Sequence, residues 1–302
     1  MGTPDFAVPT LDALVEAGHE ILAVVAQPDR PKGRGQKMVS PPTVQRAREL
    51  GLPVKQPRAV RRGPFVEWMT EAGADVAVVV AYGRILISEL LEAPKHGCIN
   101  VHASLLPKYR GAAPINWAVV RGETESGVMT MQMAEGLDTG DILMEARTPI
   151  GSDETAGELY ARLAPMGAEL AVRTLDAIDD VTPRPQDHAA HTLAPLISRD
   201  MAQIDWSKPA GVIHNLVRGF NPWPTAWTTV GGERMKVHRT RVVEGRGQPG
   251  HILSASKSIV VGTGAGALEL IEVQLPGRRA QPGRDVINSG RVAENMVLGE
   301  EM

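Results

Sequence analysis

A single cysteine, Cys98, stands among 302 residues, so an internal disulfide and a thiolate metal cage are both excluded. Aromatic residues amount to 4%, which makes any aromatic cluster conspicuous. No apolar run reaches the roughly 18 residues of a membrane-spanning helix, so an integral helical membrane protein is out. The opening MGTPDFAVPT has neither a basic n-region nor an apolar h-region and does not read as a secretory leader. There is no HExxH and no cysteine cluster, so no metal is called for. A reducing, cytoplasmic setting is the expectation. What is present is ordinary core material: 43% hydrophobic and 22% charged residues, enough for one large domain or two smaller ones.

The net charge of −3 conceals an asymmetry. Residues 30–62 hold ten basic side chains (Arg30, Lys32, Arg34, Lys37, Arg46, Arg48, Lys55, Arg58, Arg61 and Arg62) against one acid, Glu49. A local field of that sign draws in polyanions even from an acidic whole. Charge by itself fits a solvated loop and helix equally well. The segment Gln27–Pro42, with four prolines and two glycines directly after an apolar strand, reads as an exposed loop without regular structure. Nucleic acid is the partner it suggests.

Helix and strand signals alternate through the first 180 residues. Apolar strands are expected over 20–26, 75–81 and 98–102, with a strand pair over 127–133 and 142–150. Helices are expected over 9–17, 43–50, 63–72 and 114–121, and a long one over 155–178 with Ser152 or Asp153 near its N-cap. DVAVVVA at 75–81 has the unbroken apolar character of a central parallel strand. This alternation gives an α/β fold with a doubly wound, mostly parallel sheet, Rossmann-like, over 1–180. Residues 181–203 read as a linker, the stretch to 195 being rich in Pro, His and Asp. After them, 204–302 carries one helix, five short strands and a brief final helix, the pattern of a small OB-like β-barrel of Greek-key type.

The richest segment is Gly97–Pro114. Asn100 and His102 are two apart on a strand and so share a face, at the strand end where open α/β sheets bind ligands. A buried pair satisfying each other is the plain alternative. Asp138, in the turn Ala134–Asp141, adds a carboxylate, although aspartate in a glycine-rich turn is ordinarily turn chemistry. Together a His, an Asn amide and an Asp are the parts that acyl transfer to an amine requires. Gly262–Gly266 has the wrong spacing for a dinucleotide fingerprint and reads as a turn. Cys98 reads as a buried core residue, and Met129, Met131 and Met133 as one packed strand face.

GTPDFAVP at 2–9, QPDRPKGRG at 27–35, VVVAYGRIL at 78–86, CINVHASLLPKYRGAAPI at 98–115, LDTGDIL at 137–143 and FNPWP at 220–224 come in one order along the chain. In this the sequence resembles the methionyl-tRNA formyltransferases, a branch of the folate-dependent formyltransferase family, over nearly its whole length. The resemblance implies Asn100, His102 and Asp138 as the catalytic trio, with Asn100 and His102 stabilising an oxyanion and Asp138 holding His102. It implies a site for 10-formyltetrahydrofolate lined by Ala81, Tyr82, Gly83, Ile85, Leu86, Ser104, Leu105, Leu106, Pro107 and Asp141. Arg30, Lys32, Arg34 and Lys37 would grip the acceptor stem of methionyl initiator tRNA, and the C-terminal barrel would touch the inside of the tRNA. FNPWP is expected to pack the barrel against the first domain rather than stack on bases. The implied enzyme uses no metal and works as a monomer.

Two departures from the family pattern matter. Ala103 stands where members carry glycine, which is tolerable if its φ is negative. Members also begin earlier, with an apolar strand that runs into Met-Gly-Thr-Pro; the expectation is that this first strand is missing here and the start lies at an internal methionine. The intact mass of the protein from its own cells tests that. The rival readings are a formyltransferase of a 4-amino sugar nucleotide, a folate hydrolase domain, and an RNA-binding protein without catalysis.

Overall fold

The computed structural model describes residues 1–33 and 35–300, with the backbone only at Lys32. The chain divides into two compact units. One comprises Met1–Pro114, Ser126–Thr148 and Tyr160–Ala194; the other comprises Ile115–Glu125, Pro149–Leu159 and Pro195–Met302. Among the described residues no helix is long and apolar enough to cross a membrane.

The first unit is built on a sheet. Strand β1 (Val24–Val25) pairs in parallel with β2 (Val54–Lys55). Strand β3 (Ala77–Val79) pairs in parallel with β4 (Cys98–His102), which pairs antiparallel with β5 (Glu125–Gln132); β6 (Ile142–Pro149) lies beyond. Met1 and Gly2 stitch the two sets together. The Gly2 N–H donates to Val25 O at 2.9 Å, and the Val80 N–H donates to Met1 O at 2.8 Å. A Cβ at Gly2 would lie 2.6 Å from the Ala7 methyl, so only glycine lets the chain through there.

The strands expected over 20–26 and 75–81 shrink to 24–25 and 77–79. Behind Met1 a cavity of about 320 Å³ opens, lined by Ala23, Val24, Val76, Val78, Leu14 and Trp68 among others. The Met1 ammonium donates to Val78 O at 2.6 Å, and burial lowers its pKa to about 6.

Helices α1 (Val8–Glu16), α2 (Pro42–Glu49) and α3 (Pro64–Glu71) each carry proline in the first turn, where no N–H is missed. Helices α4 (Ser88–Glu92) and α5 (Pro114–Val120) are short, and α6 (Ala156–Asp176) is the long one. Its N-cap is Thr155, two and three residues after Asp153 and Ser152. The Glu158 N–H donates to Thr155 Oγ1 at 3.2 Å, while the Thr155 N–H donates to Glu158 Oε2 at 2.8 Å, a reciprocal box that holds the Glu158 carboxyl below its usual range. Cys98 is fully buried, its thiol donates to Leu90 O, and burial pushes its pKa up to about 11. Met129 and Met131 are buried on one face of β5, with Thr130 buried on the other.

Two expectations need correcting. The segment Gln27–Pro42 is not without regular structure: Arg30–Lys32 pairs antiparallel with Lys37–Val39 as a hairpin. Both strands of a two-stranded ribbon are edges, so Pro31 can sit in one without a ladder partner on its free side. The stretch 181–194 is not a free linker. Leu193–Ala194 pairs in parallel with Arg110–Gly111, Arg184 exchanges two backbone hydrogen bonds with Ile142, and Gln186 and Ala194 are buried. These hydrogen bonds are non-local, and nothing in the local pattern of prolines announces them.

In the second unit the strand order is β7–β8–β11–β10–β9, all antiparallel, for β7 (Ala226–Val230), β8 (Glu233–Val243), β9 (Ile252–Ala255), β10 (Ile259–Gly262) and β11 (Ala267–Gln274). Among the described residues no pairing joins β7 to β9, so the barrel is open there. Its core draws Ile213 and Val217 from α7 (Ala210–Gly219) and Val286 from α8 (Gly283–Asn288) onto Met235, Val237, Leu268 and Leu270. Within FNPWP, Phe220 is buried edge-on to Trp117, whereas Trp223 is 52% exposed. The guanidinium of Arg234 lies 3.8 Å from the Trp227 ring centre.

Candidate active site

Strand β4 is buried along its whole length, yet it carries an amide and an imidazole at alternate positions. The His102 Nε2 lies 3.0 Å from the carbonyl oxygen of Tyr109. A carbonyl can only accept, so Nε2 carries the hydrogen and the neutral ring presents Nδ1 as its free nitrogen. That nitrogen faces Asp138, whose Oδ2 stands 3.7 Å away. The distance suits an ion pair with a protonated ring, not a hydrogen bond. Tyr109, rather than Asp138, therefore orients the imidazole. Asn100, two residues back, makes no side-chain hydrogen bond among the described residues, leaving its amide free to donate.

Asp138 reaches this place by a return path. Strand β5 leaves the sheet beside Ile99, and the loop 133–141 carries Asp138 back to His102 at the other end of β4. The Gly111 N–H donates to Asp138 Oδ2 at 2.8 Å. Three consecutive residues thus serve both side chains: Tyr109 holds the imidazole, Arg110 is buried between, and Gly111 holds the carboxylate. Ala81, Tyr109 and Asp138 adopt φ of +46°, +62° and +49°. A non-glycine residue in that region costs about 1–3 kcal/mol and persists where surrounding contacts over-determine it. Ala103 has no such φ, so its methyl is accommodated.

The residues expected to line a folate site separate into two groups. Tyr82, Leu86, Ser104 and Leu106 are buried, and the Ser104 hydroxyl donates to Lys108 O at 2.7 Å, closing its own turn. Leu106 packs with Met129, Met131 and Ile142, with Leu105 against them. These shape the walls. Ala81, Gly83 and Ile85 are exposed, as is Leu137 of the facing loop, and Pro107 and Asp141 are half-buried. The Tyr82 hydroxyl is buried without a partner among the described residues, and burial raises its pKa. A hydrogen bond between Ser88 and Glu135 joins the 81–88 segment to the Asp138 loop. Among the described residues no group of three His, Cys, Asp or Glu is placed to hold a metal ion.

The basic hairpin springs from the same end of the sheet. Arg30 donates to Gln27 Oε1 at 2.8 Å, and Gln27 donates to the carbonyls of Tyr82 and Gly83, tying the hairpin base to the 81–86 turn. Lys37 is exposed; the Lys32 side chain and Arg34 lie outside the described residues. Asp29, at the hairpin base, accepts from Gln56 and Ser40, which hold its carboxyl low. Beyond the expected set, Tyr109, Arg110, Gly111 and Gln186 belong to the site. The first three sit inside the motif at 98–115, but nothing in the spacing marks Gln186.

Residues 1–175 match a family model described as formyl transferase, and residues 196–291 match the formyl transferase C-terminal domain. A methionyl-tRNA formyltransferase of Geobacter metallireducens is 49% identical over 302 residues, covering 99% of this chain and 97% of the relative. One from Solibacter usitatus is 49% identical over 304 residues, with the same coverage. Among solved structures, an N-formyltransferase from Helicobacter canadensis in complex with folinic acid and dTDP-3-aminofucose shares the fold, with a TM-score of 0.69 at 20% identity over 89% of this chain and 96% of that one. HypX from Aquifex aeolicus in complex with tetrahydrofolic acid gives a TM-score of 0.57 at 19% identity over 80% and 43%.

Proposed function

Since the chain belongs to the formyl transferase family, we propose that it transfers the formyl group of 10-formyltetrahydrofolate to the α-amine of methionyl initiator tRNA. The observation that carries the chemistry is the uncommitted pair of Asn100 amide and His102 Nδ1, beside the Asp138 carboxylate.

The amine nitrogen forms a bond to the formyl carbon, whose oxygen becomes an oxyanion; the bond from that carbon to folate N10 then breaks. Asn100 donates to the oxyanion. His102 Nδ1 takes the proton the amine loses and returns it to N10 as that nitrogen departs. While the ring is protonated, the Asp138 carboxylate at 3.7 Å stabilises its charge. Ile85 and Leu137, both exposed, supply the apolar contact that a flat donor ring needs. The hairpin, through Arg30, Lys32, Arg34 and Lys37, holds the phosphates of the acceptor stem, and the stretch 205–302, with 12 basic against 9 acidic residues, adds further contact with the tRNA.

Formyl transfer from 10-formyltetrahydrofolate to charged initiator tRNA, charged elongator tRNA and a 4-amino sugar nucleotide, run in parallel, tests this. Transfer to initiator tRNA is expected, and transfer to the sugar with none to tRNA would overturn the reading. Raising salt should weaken tRNA binding steeply and folate binding little. Equal slopes would remove the hairpin as a tRNA contact.

A further inference from the structure

The stretch 181–194 sends one side chain into the catalytic loop. Gln186 is buried, and every polar atom of its amide is used. Its Nε2 donates to Asp138 O at 3.0 Å and to Gly140 O at 2.7 Å. Its Oε1 accepts from Arg110 Nε at 3.1 Å and from Arg110 Nη2 at 2.6 Å. Arg110 is itself buried, and its Nη2 also meets His188 Nδ1 at 3.0 Å. On either side of Arg110 lie the two backbone groups that hold the site, the Tyr109 carbonyl on His102 and the Gly111 N–H on Asp138. The same 186–194 segment fixes that tripeptide from behind: Thr192 Oγ1 accepts from the Tyr109 N–H at 2.9 Å and Thr192 O from the Arg110 N–H at 2.9 Å.

We propose that Gln186 is a positioning residue for formyl transfer, clamping the left-handed Asp138 turn to Arg110 so that Asp138 Oδ2 is held opposite His102 Nδ1. The proposal rests on the formyltransferase reading. Its logic is that one amide faces two partners at once. The backbone at Asp138 sits at φ +49°, a conformation with a bias to relax, and the Gln186 donor opposes that bias through the carbonyls of Asp138 and Gly140. The Gln186 acceptor locks the donor's own position to the arginine between Tyr109 and Gly111. The distance between carboxylate and imidazole is therefore set by a closed ring of contacts that includes neither reacting group's own strand neighbours. Displacement by about 1 Å in such a site commonly costs a hundredfold in rate.

Two substitutions separate positioning from plain structural support. Gln186→Glu keeps acceptors for Arg110 but has no N–H for the Asp138 and Gly140 carbonyls; Gln186→Met removes both connections at similar size. If Gln186 merely anchors its segment to Arg110, Gln186→Glu should keep the parent kcat. If it positions Asp138, both variants should lower kcat by about 10- to 100-fold, with KM for donor and tRNA within about threefold of the parent. The Gly111 amide proton, which donates to Asp138 Oδ2, gives an activity-free readout. Its NMR shift should move upfield in Gln186→Glu as that hydrogen bond lengthens. An unchanged kcat and an unchanged Gly111 shift in Gln186→Glu would overturn the proposal, as would a loss expressed wholly in KM. Gln186→Glu retains the arginine contact and so serves should Gln186→Met fail to fold. Failure of the parent protein on methionyl-tRNA would instead count against the formyltransferase reading, leaving the Gly111 shift to decide the clamp.

Discussion

The two ends of the central sheet are built on opposite terms. At the carboxyl ends of β3 and β4, polar side chains are buried, His102, Ser104 and Arg110 with partners and Asn100 and the Tyr82 hydroxyl without one among the described residues, and strained turns are held by hydrogen bonds from distant parts of the chain. At the amino ends, apolar side chains line a cavity of about 320 Å³, and the Met1 ammonium is buried beside it. The first end is over-determined and the second is loose. Chemistry that needs sub-ångström placement sits at the first; the second governs how stable the unit is. Substitutions should therefore sort by end: rate without stability at one, stability without rate at the other.

The largest effect is expected at the carboxyl end. Asn100→Ala should lower kcat by about 10²–10³, equivalent to about 3–4 kcal/mol of transition-state stabilisation, with little change in Tm. Steady-state kinetics beside calorimetry checks both halves, and a Tm loss equal to the rate loss would erase the contrast.

Next comes the buried amine. Its pKa falls from the ordinary 8.0 to about 6 in the fold, so the unfolded chain binds the extra proton between those values. Stability of the 302-residue chain should accordingly rise from pH 6 to pH 8, by about 2–3 kcal/mol. Urea melts of the chain with a free and an acetylated α-amine isolate this slope, which only the free amine should show. A smaller gain is expected from four β-branched apolar residues joined ahead of Met1. They would extend between β1 and β3 into the cavity, adding about 1–2 kcal/mol after ordering entropy and leaving kcat untouched. Smallest is Lys37→Ala, which should leave kcat and Tm alone and reduce the salt slope of tRNA binding by about one.

The chemistry-bearing end was the more legible in the sequence. Asn100 and His102 announce themselves as polar residues at alternate positions of an apolar strand, and Asp138 as a carboxylate in a glycine-rich turn. Alternation of helix and strand signals gave the doubly wound unit, and β7 to β11 of the second unit fall where apolar runs and turn residues put them, while the two-residue strand Gln281–Pro282 beside β11 carries no such signal. What stayed hidden is non-local. Gln186 lies among prolines in a stretch without period, and its importance comes from partners 46 to 76 residues away. The hairpin at 30–39 was obscured by Pro31 and Gly33, which as readily mark an irregular loop. The role of Tyr109 was hidden for another reason: it acts through a backbone carbonyl, which no side-chain pattern reveals.

The chemistry of the site turns on where the His102 proton resides. Nitrogen-15 NMR of the protein with labelled histidine, at a pH where the ring is neutral, measures it directly. A His102 signal pair with hydrogen on Nε2 and a bare Nδ1 is the predicted result, because the Tyr109 carbonyl accepts from Nε2 and Asp138 Oδ2 stands 3.7 Å from Nδ1. A neutral ring carrying its hydrogen on Nδ1 would contradict it, leaving the site without a free nitrogen facing the amine.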